Sequence, residues 1–234
     1  MVDGGAMIDA ALHWLGYGLC HQLPERSFFG GGHQLPVCAR DTGIYLGFVI
    51  ALLVMALLDR GRRRAGMPPA WLLGVGFAAL VALGWDGITS YAGLRATTNV
   101  IRLATGTGAG FAIALVIGPL LNTQLWKRRS EERVLGSPIE GLVWCAAAPV
   151  TFAATLWGAP LAGIAYPLAV AAAILVTFTA VNLVLVSLVP HFERSFDRLR
   201  DAWPALLWAF ALSLVEFALA DWARLALLSL IRQV

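Results

Sequence analysis

The stretch GIYLGFVIALLVMALL at residues 43–58, followed at once by DRGRRR at 59–64, decides the fold. The run carries no charge, and four arginines stand directly behind it. A hydrocarbon core about 30 Å thick takes roughly 20 apolar helical residues to cross. The stretch therefore reads as one crossing with its cationic anchor beyond the headgroups. Working outward, comparable runs occupy 69–85, 105–126, 139–157, 161–189 and 203–220. Composition agrees, because 59% of the 234 residues are hydrophobic and only 13% are charged, against about 25% charged in soluble domains. That is too little polar surface to cover a globule in water. The sequence predicts an all-α, polytopic membrane protein with about six transmembrane helices, and excludes disorder, a coiled coil and a disulfide-stapled secreted domain. Beyond 220, Asp221-Trp222-Ala223-Arg224 and a last apolar run to 231 either prolong the sixth helix or turn aside along the interface.

The loops give the direction. Arg60, Arg62, Arg63 and Arg64 follow the first run, Lys127, Arg128, Arg129 and Arg133 the third, and Arg194, Arg198 and Arg200 the fifth. Eleven of the chain's 17 basic residues thus fall in alternate loops, as the positive-inside rule asks of the cytoplasmic face. This predicts a multi-pass protein of the cell membrane. Both termini, residues 20–42, residues 86–102 and the Gly158-Ala159-Pro160 turn then lie on the extracytoplasmic side. The net charge of +3 is a topology signal on this reading, with no nucleic-acid partner implied. Trp71, Trp85, Trp126, Trp157 and Trp203 stand at run ends, where aromatic belts form.

Residues 1–20 do not read as a signal peptide, since Asp3 and Asp9 interrupt them and no basic segment precedes an apolar one. Ile8, Leu12, Leu15 and Leu19 recur at helical spacing. A short interfacial helix over 8–19 is expected there.

The unusual chemistry lies in residues 20–42. Cys20, His21, His33, Cys38 and Asp41 are all potential metal ligands, and His-Gln-Leu-Pro occurs twice, at 21–24 and 33–36. Thiolate, imidazole and carboxylate together suit tetrahedral zinc. Pro24 and Pro36 hold the residues before them extended, and Gly30-Gly31-Gly32 lets the chain fold back between the two arms. Cys38 and Asp41 share a helix face at the entrance to the first span. The expected zinc ligands are Cys20, His33, Cys38 and Asp41, with His21 left for acid–base work. A Cys20–Cys38 disulfide, allowed outside the cytoplasm, and a chemically idle pair of thiols remain alternatives.

A second polar stretch follows the second run. Asp86 stands at its boundary, then come Arg95-Ala96-Thr97-Thr98-Asn99-Val100-Ile101-Arg102. Asn99 and Arg102 share a helix face, and the small residues 105–110 allow close helix packing. Topology puts Asp86, Asn99 and Arg102 beside the cysteine-bearing loop. Asp86 is a general-base candidate, while Arg40, Arg95, Asn99 and Arg102 are candidates for binding phosphate oxygens. Pairing of Asp86 with Arg102 as a purely structural bridge is the plainer reading.

Cys-His-Gln-Leu-Pro-Glu-Arg-Ser-Phe at 20–28, Leu-Pro-Val-Cys-Ala-Arg-Asp-Thr-Gly-Ile-Tyr-Leu-Gly at 35–47, Asp86-Gly87 and Arg95-Ala-Thr-Thr-Asn-Val-Ile-Arg102 resemble the bacterial and archaeal membrane family called domain of unknown function 2085. The resemblance runs over about 13–125. It implies a family-like core at 1–126, with the outer loop motif and three spans, and a three-span extension at 127–234. The family pattern has Cys-Ala-Arg-Cys-Thr-Gly where this chain has Cys38-Ala39-Arg40-Asp41-Thr42-Gly43. A metallic family site would survive the change in altered form, because a carboxylate still binds zinc; a redox Cys-x-x-Cys pair would be lost.

Three functions compete. The first is a zinc-dependent enzyme acting on a lipid or isoprenoid phosphate. The second is a noncatalytic accessory subunit whose metal or disulfide loop docks a membrane protein partner. The third is a small transporter using Glu216 and Asp86, disfavoured because no inverted repeat is evident. Glu216 lies mid-span and is expected to face protein, with Asn182 or Ser187 as hydrogen-bond partner. Residues 191–200 are expected as a short charged helix at the cytoplasmic surface.

Overall fold

Small residues let two helices touch backbone to backbone, and that contact organises the bundle. The computed structural model describes residues 4–231. Helix α1 (Gly4–Tyr17) precedes α2 (Ala39–Asp59), α3 (Ala70–Tyr91), α4 (Asn99–Leu125), α5 (Pro138–Ala162), α6 (Ala165–Val186) and α7 (Trp203–Ile231). The last six are each long and apolar enough to cross a membrane. The protein is all-α and multi-pass. Two minor ladders complete it: β1 (Phe29–Gly30) antiparallel to β2 (His33–Gln34), and β3 (Arg64–Gly66) parallel to β4 (Ser130–Arg133).

On α2, Gly43 and Gly47 face Leu103 and Thr107 of α4, while Gly106 and Gly110 of α4 face Arg40 and Ile44 of α2. A methyl group on Gly106 would lie 2.0 Å from the Arg40 carbonyl oxygen, and one on Gly110 would lie 2.2 Å from that of Ile44. Each helix thus carries a small-xxx-small pair, the device by which membrane helices gain dispersion contact without a hydrophobic driving force. Phe48, Met55, Leu72, Phe111, Leu115 and Trp144 build the core beside it, and the Trp144 indole donates to the Ala51 carbonyl at 3.3 Å.

Several boundaries differ from those expected. Helix α3 runs to Tyr91, so Asp86 lies inside it rather than in the following loop. Helix α4 starts at Asn99 because the Thr98 hydroxyl caps it, accepting from the Ile101 N–H at 3.3 Å. Helix α5 continues through 158–160, and the turn falls at Gly163, which adopts φ +52°. Residues 191–198 form turns instead of a helix, since Arg194 N–H bonds the Gln124 carbonyl at 2.7 Å and Phe196 pairs with Trp126. The apolar tail prolongs α7 to Ile231; residues 232–234, like Asp3 at the other terminus, lie outside the described residues. Helix α1 begins at Gly4, earlier than expected, buries Leu12 and packs on α6 and α7.

Buried charge is satisfied at the end away from α1 and between the last two helices. At the end away from α1, Arg64 is 4% exposed and bridges Asp59 and Glu140, each at 2.8 Å. Between α6 and α7, the Asn182 amide donates to Glu216 Oε2 at 2.7 Å and to Ser213 Oγ at 3.0 Å, so Glu216 faces protein as expected.

The backbone contact makes a direct prediction. Gly106→Val should destabilise the detergent-solubilised protein by about 1–3 kcal/mol through overpacking, whereas Gly74→Ala, where a methyl meets open space, should not. Equal thermal melting of the two variants would contradict the packing account.

Candidate functional site

The loop from α1 to α2 is held by its two glutamines. Gln22 takes a left-handed backbone at φ +54°, and its side-chain amide donates to the carbonyls of His13 (2.9 Å) and Pro36 (2.8 Å). Gln34 donates to the Gln22 carbonyl at 2.8 Å and to Ser27 Oγ at 3.2 Å. The expected glycine bend is a two-residue hairpin turn, with Gly31 at φ +59° and Gly32 at φ +84°, the all-positive geometry of a type I′ turn. Only the second His-Gln-Leu-Pro arm is a strand, because the first enters a 3-10 turn at Pro24–Arg26. From α7, the Arg224 guanidinium donates to the carbonyls of Tyr17 and Cys20 and lies 4.2 Å from the Tyr17 ring centroid.

These ties carry Cys20 onto the start of α2. Cys38 is the N-cap residue and Asp41 sits in the first turn. The Cys38 thiol donates to Asp41 Oδ2 at 3.2 Å, and the Cys38 N–H donates to Cys20 Sγ at 3.3 Å. Ligand atoms of Cys20, Cys38 and Asp41 all lie within 4.8 Å of one another, and the three cysteines of the chain are free. A side-chain hydrogen bond between the two thiols pulls the Cys20 thiol down to about 7. The same bond, together with burial, pushes Cys38 up. Helix α2 also points its positive N-terminal dipole at this group.

The two histidines stand apart from it. His33 pairs with Gly30 across the hairpin, and its Nδ1 bonds Asp9 Oδ1 on α1 at 2.6 Å, so its ring is engaged outside the three-residue group. His21 is exposed.

The second stretch packs beside the thiols. Asp86 is 1% exposed. Its Oδ2 accepts from Arg40 at 2.5 Å, and its Oδ1 accepts from Arg95 and, at 2.8 Å, from Thr97. The expected Asp86–Arg102 bridge is replaced by these contacts. Asn99 donates to the Glu25 carbonyl at 3.2 Å, tying α4 to the loop, and its Oδ1 meets Arg102 Nη1 at 3.5 Å. Cys20, Arg26, Cys38, Arg40, Tyr91 and Arg102 line one narrow cleft, with His21 on its wall. The sequence does not single out Arg26 or Tyr91. Arg26 lies inside the first motif without a spacing signal of its own, and Tyr91 belongs to the cleft only because α3 extends past Asp86. Both Arg26 and Arg40 carry their Cζ 5.9 Å from the Tyr91 ring centroid.

Comparison with other proteins falls on this same part of the chain. A family model described as "Predicted membrane protein (DUF2085)" matches residues 20–116, which take in every member of the thiol group and the cleft. The chain is 36% identical over 110 residues to an uncharacterized protein of Methanocaldococcus jannaschii, covering 47% of this chain and 68% of that one. It is 38% identical over 98 residues to an uncharacterized protein of Methanothermobacter thermautotrophicus, covering 42% and 83% respectively. No solved structure matches.

Asp86 holds two guanidinium groups, so removing its charge strands Arg40 in a buried setting. Asp86→Asn should cost about 3 kcal/mol of stability, the order found when one partner of a buried ion pair is removed. Thermal unfolding in detergent measures it, and a variant as stable as the parent would mean that Asp86 carries no such burden.

Proposed function

The chain belongs to the family of predicted membrane proteins DUF2085, and on that premise we propose that it is a zinc-dependent membrane enzyme centred on Cys20, Cys38 and Asp41. One observation carries the reading: residues far apart in sequence bring two thiols and a carboxylate within 4.8 Å. Sulfur and carboxylate ligands suit zinc, and three protein ligands leave the fourth position open, as in catalytic rather than structural zinc sites. The shared proton between Cys38 and its neighbours is what a cation would displace.

The substrate proposed is a lipid or isoprenoid phosphate. The cleft lies at the ends of the spanning helices α2, α3 and α4, and its arginines offer paired N–H groups of the kind that fit phosphate oxygens. Bound zinc would supply Lewis-acid polarisation or an activated water. The chain's own residues do the rest. Arg40 is oriented by Asp86, whose two oxygens are already engaged, so Asp86 is assigned to positioning instead of proton transfer. His21, exposed at the cleft wall, is the group left to move a proton. By the loop charges, this end is assigned to the extracytoplasmic side.

Two measurements test these assignments. Metal analysis of the purified protein should find one zinc per chain, at least tenfold less in Cys38→Ser and Asp41→Asn, and unchanged occupancy in His33→Ala. A wild-type protein free of zinc, or full occupancy in Cys38→Ser, would refute the centre. For orientation, an impermeant thiol reagent applied to intact cells should label Arg62→Cys no more than the parent protein, whose native thiols set the background; additional labelling from outside would reverse the topology.

A further inference from the structure

The cleft beside the thiols holds more positive charge than its partners neutralise. Arg26, Arg40 and Arg102 line it, and Arg95 stands at its edge. The carboxylate of Asp86 is divided between Arg40 and Arg95, and that of Asp41 is taken up with Cys38. Arg102 is 7% exposed. Among the described residues its guanidinium meets one side-chain acceptor, Asn99 Oδ1 at 3.5 Å, the outer limit of a hydrogen bond. The Nε of Arg40 is buried with no hydrogen-bond partner among the described residues. Buried guanidinium groups are kept where an anion pairs with them, and no protein anion does so for Arg102 among the described residues.

We infer that Arg26, Arg40 and Arg102 form a binding site for a phosphomonoester dianion, the group that the proposed enzyme would act on. The inference rests on the proposed function for what reacts, but the site binds its anion through the chain's own guanidinium groups. The unpartnered Nε of Arg40, whose Nη2 is held by Asp86, and the forks of Arg26 and Arg102 together offer donors to the three terminal oxygens and double charge of a monoester. A phosphodiester, which offers one charge and two free oxygens, leaves a fork unmatched. The cleft is narrow, about 20 Å³, close to the space of one water. A phosphoryl group therefore enters as the Arg26 side chain, on the 3-10 turn, swings outward to make room and pairs with the anion from above, while Arg40 and Arg102 stay fixed on helices. The same dianion chemistry is offered by a lipid headgroup and by free phosphate, which differ only in whether an acyl-bearing group is esterified to the phosphorus.

The test is thermal melting of the full chain in neutral detergent, titrated with inorganic phosphate, dihexanoyl phosphatidic acid or dihexanoyl phosphatidylcholine, with zinc measured in each sample. Wild-type protein should show a saturable rise in melting temperature with phosphate and phosphatidic acid and none with phosphatidylcholine. Phosphatidic acid acting at a tenfold lower concentration than phosphate identifies a lipid monoester, and equal potency identifies free phosphate. Arg102→Gln should melt no lower than wild type without anion, because it removes an unpaired buried charge, yet lose the anion-dependent rise. Arg26→Gln, which leaves the helices untouched, should need at least tenfold more phosphate, and Arg62→Gln no more than wild type. Cys38→Ser should still respond to phosphate, so a failure of the zinc centre alone leaves the cleft standing. Absence of any saturable rise in wild type, an equal rise with phosphatidylcholine, or an undiminished rise in both Arg102→Gln and Arg26→Gln would overturn the site.

Discussion

The backbone contact between α2 and α4 is the constraint on which the rest depends. With Gly106 against the Arg40 carbonyl and Gly43 against that of Leu103, the two helices have no room to slide or rotate. That register places Arg40 and Asp41 of α2 a fixed distance from Arg102 of α4. The thiol group and the arginine cleft thereby become neighbours, though their residues come from a loop and three helices. Dispersion between small residues supplies this precision in a medium that gives apolar side chains little reason to prefer protein over lipid.

Charge is handled differently at the two ends. Around Arg64, one guanidinium faces two carboxylates, Asp59 and Glu140, and every partner is protein. Around Asp86, one carboxylate faces two guanidinium groups, and a third, on Arg102, is left short of acceptors. The first arrangement closes on itself and locks the β3–β4 connection to α2 and α5. The second is open and cationic, and it adjoins two thiols and a carboxylate that share protons. A surplus of buried cation is a poor way to stabilise a helix bundle, and beside the proposed zinc ligands it would suit an anion held near a Lewis acid. Arg224 and Gln22 serve the same end, since both direct their donors to loop carbonyls and so keep Cys20 against Cys38.

What could be read from the sequence divides along physical lines. Hydropathy alone is sufficient for the six crossings, because bilayer thickness sets their length. The ends of those crossings depend on tertiary partners. Asp86 reads as a loop residue until Arg40 and Thr97 are seen to satisfy it within α3, and the polar start of α4 is fixed by the Thr98 cap. The triad of Cys20, Cys38 and Asp41 was legible because Cys38 and Asp41 are one helical turn apart and glycines mark the return bend. The place of His33 was not, since it hangs on a two-residue hairpin register and on Asp9 of a helix that hydropathy barely marks. Arg26 was likewise hidden, because its significance arises only from sharing the Tyr91 ring with Arg40.

The central claim is that two thiolates and one carboxylate share a single zinc ion at the start of α2. Zinc K-edge X-ray absorption on the detergent-purified protein tests it most directly. The account predicts two sulfur scatterers at about 2.3 Å and oxygen scatterers at about 2.0–2.2 Å from the metal. A first shell of nitrogen and oxygen alone, or four sulfurs, would contradict it.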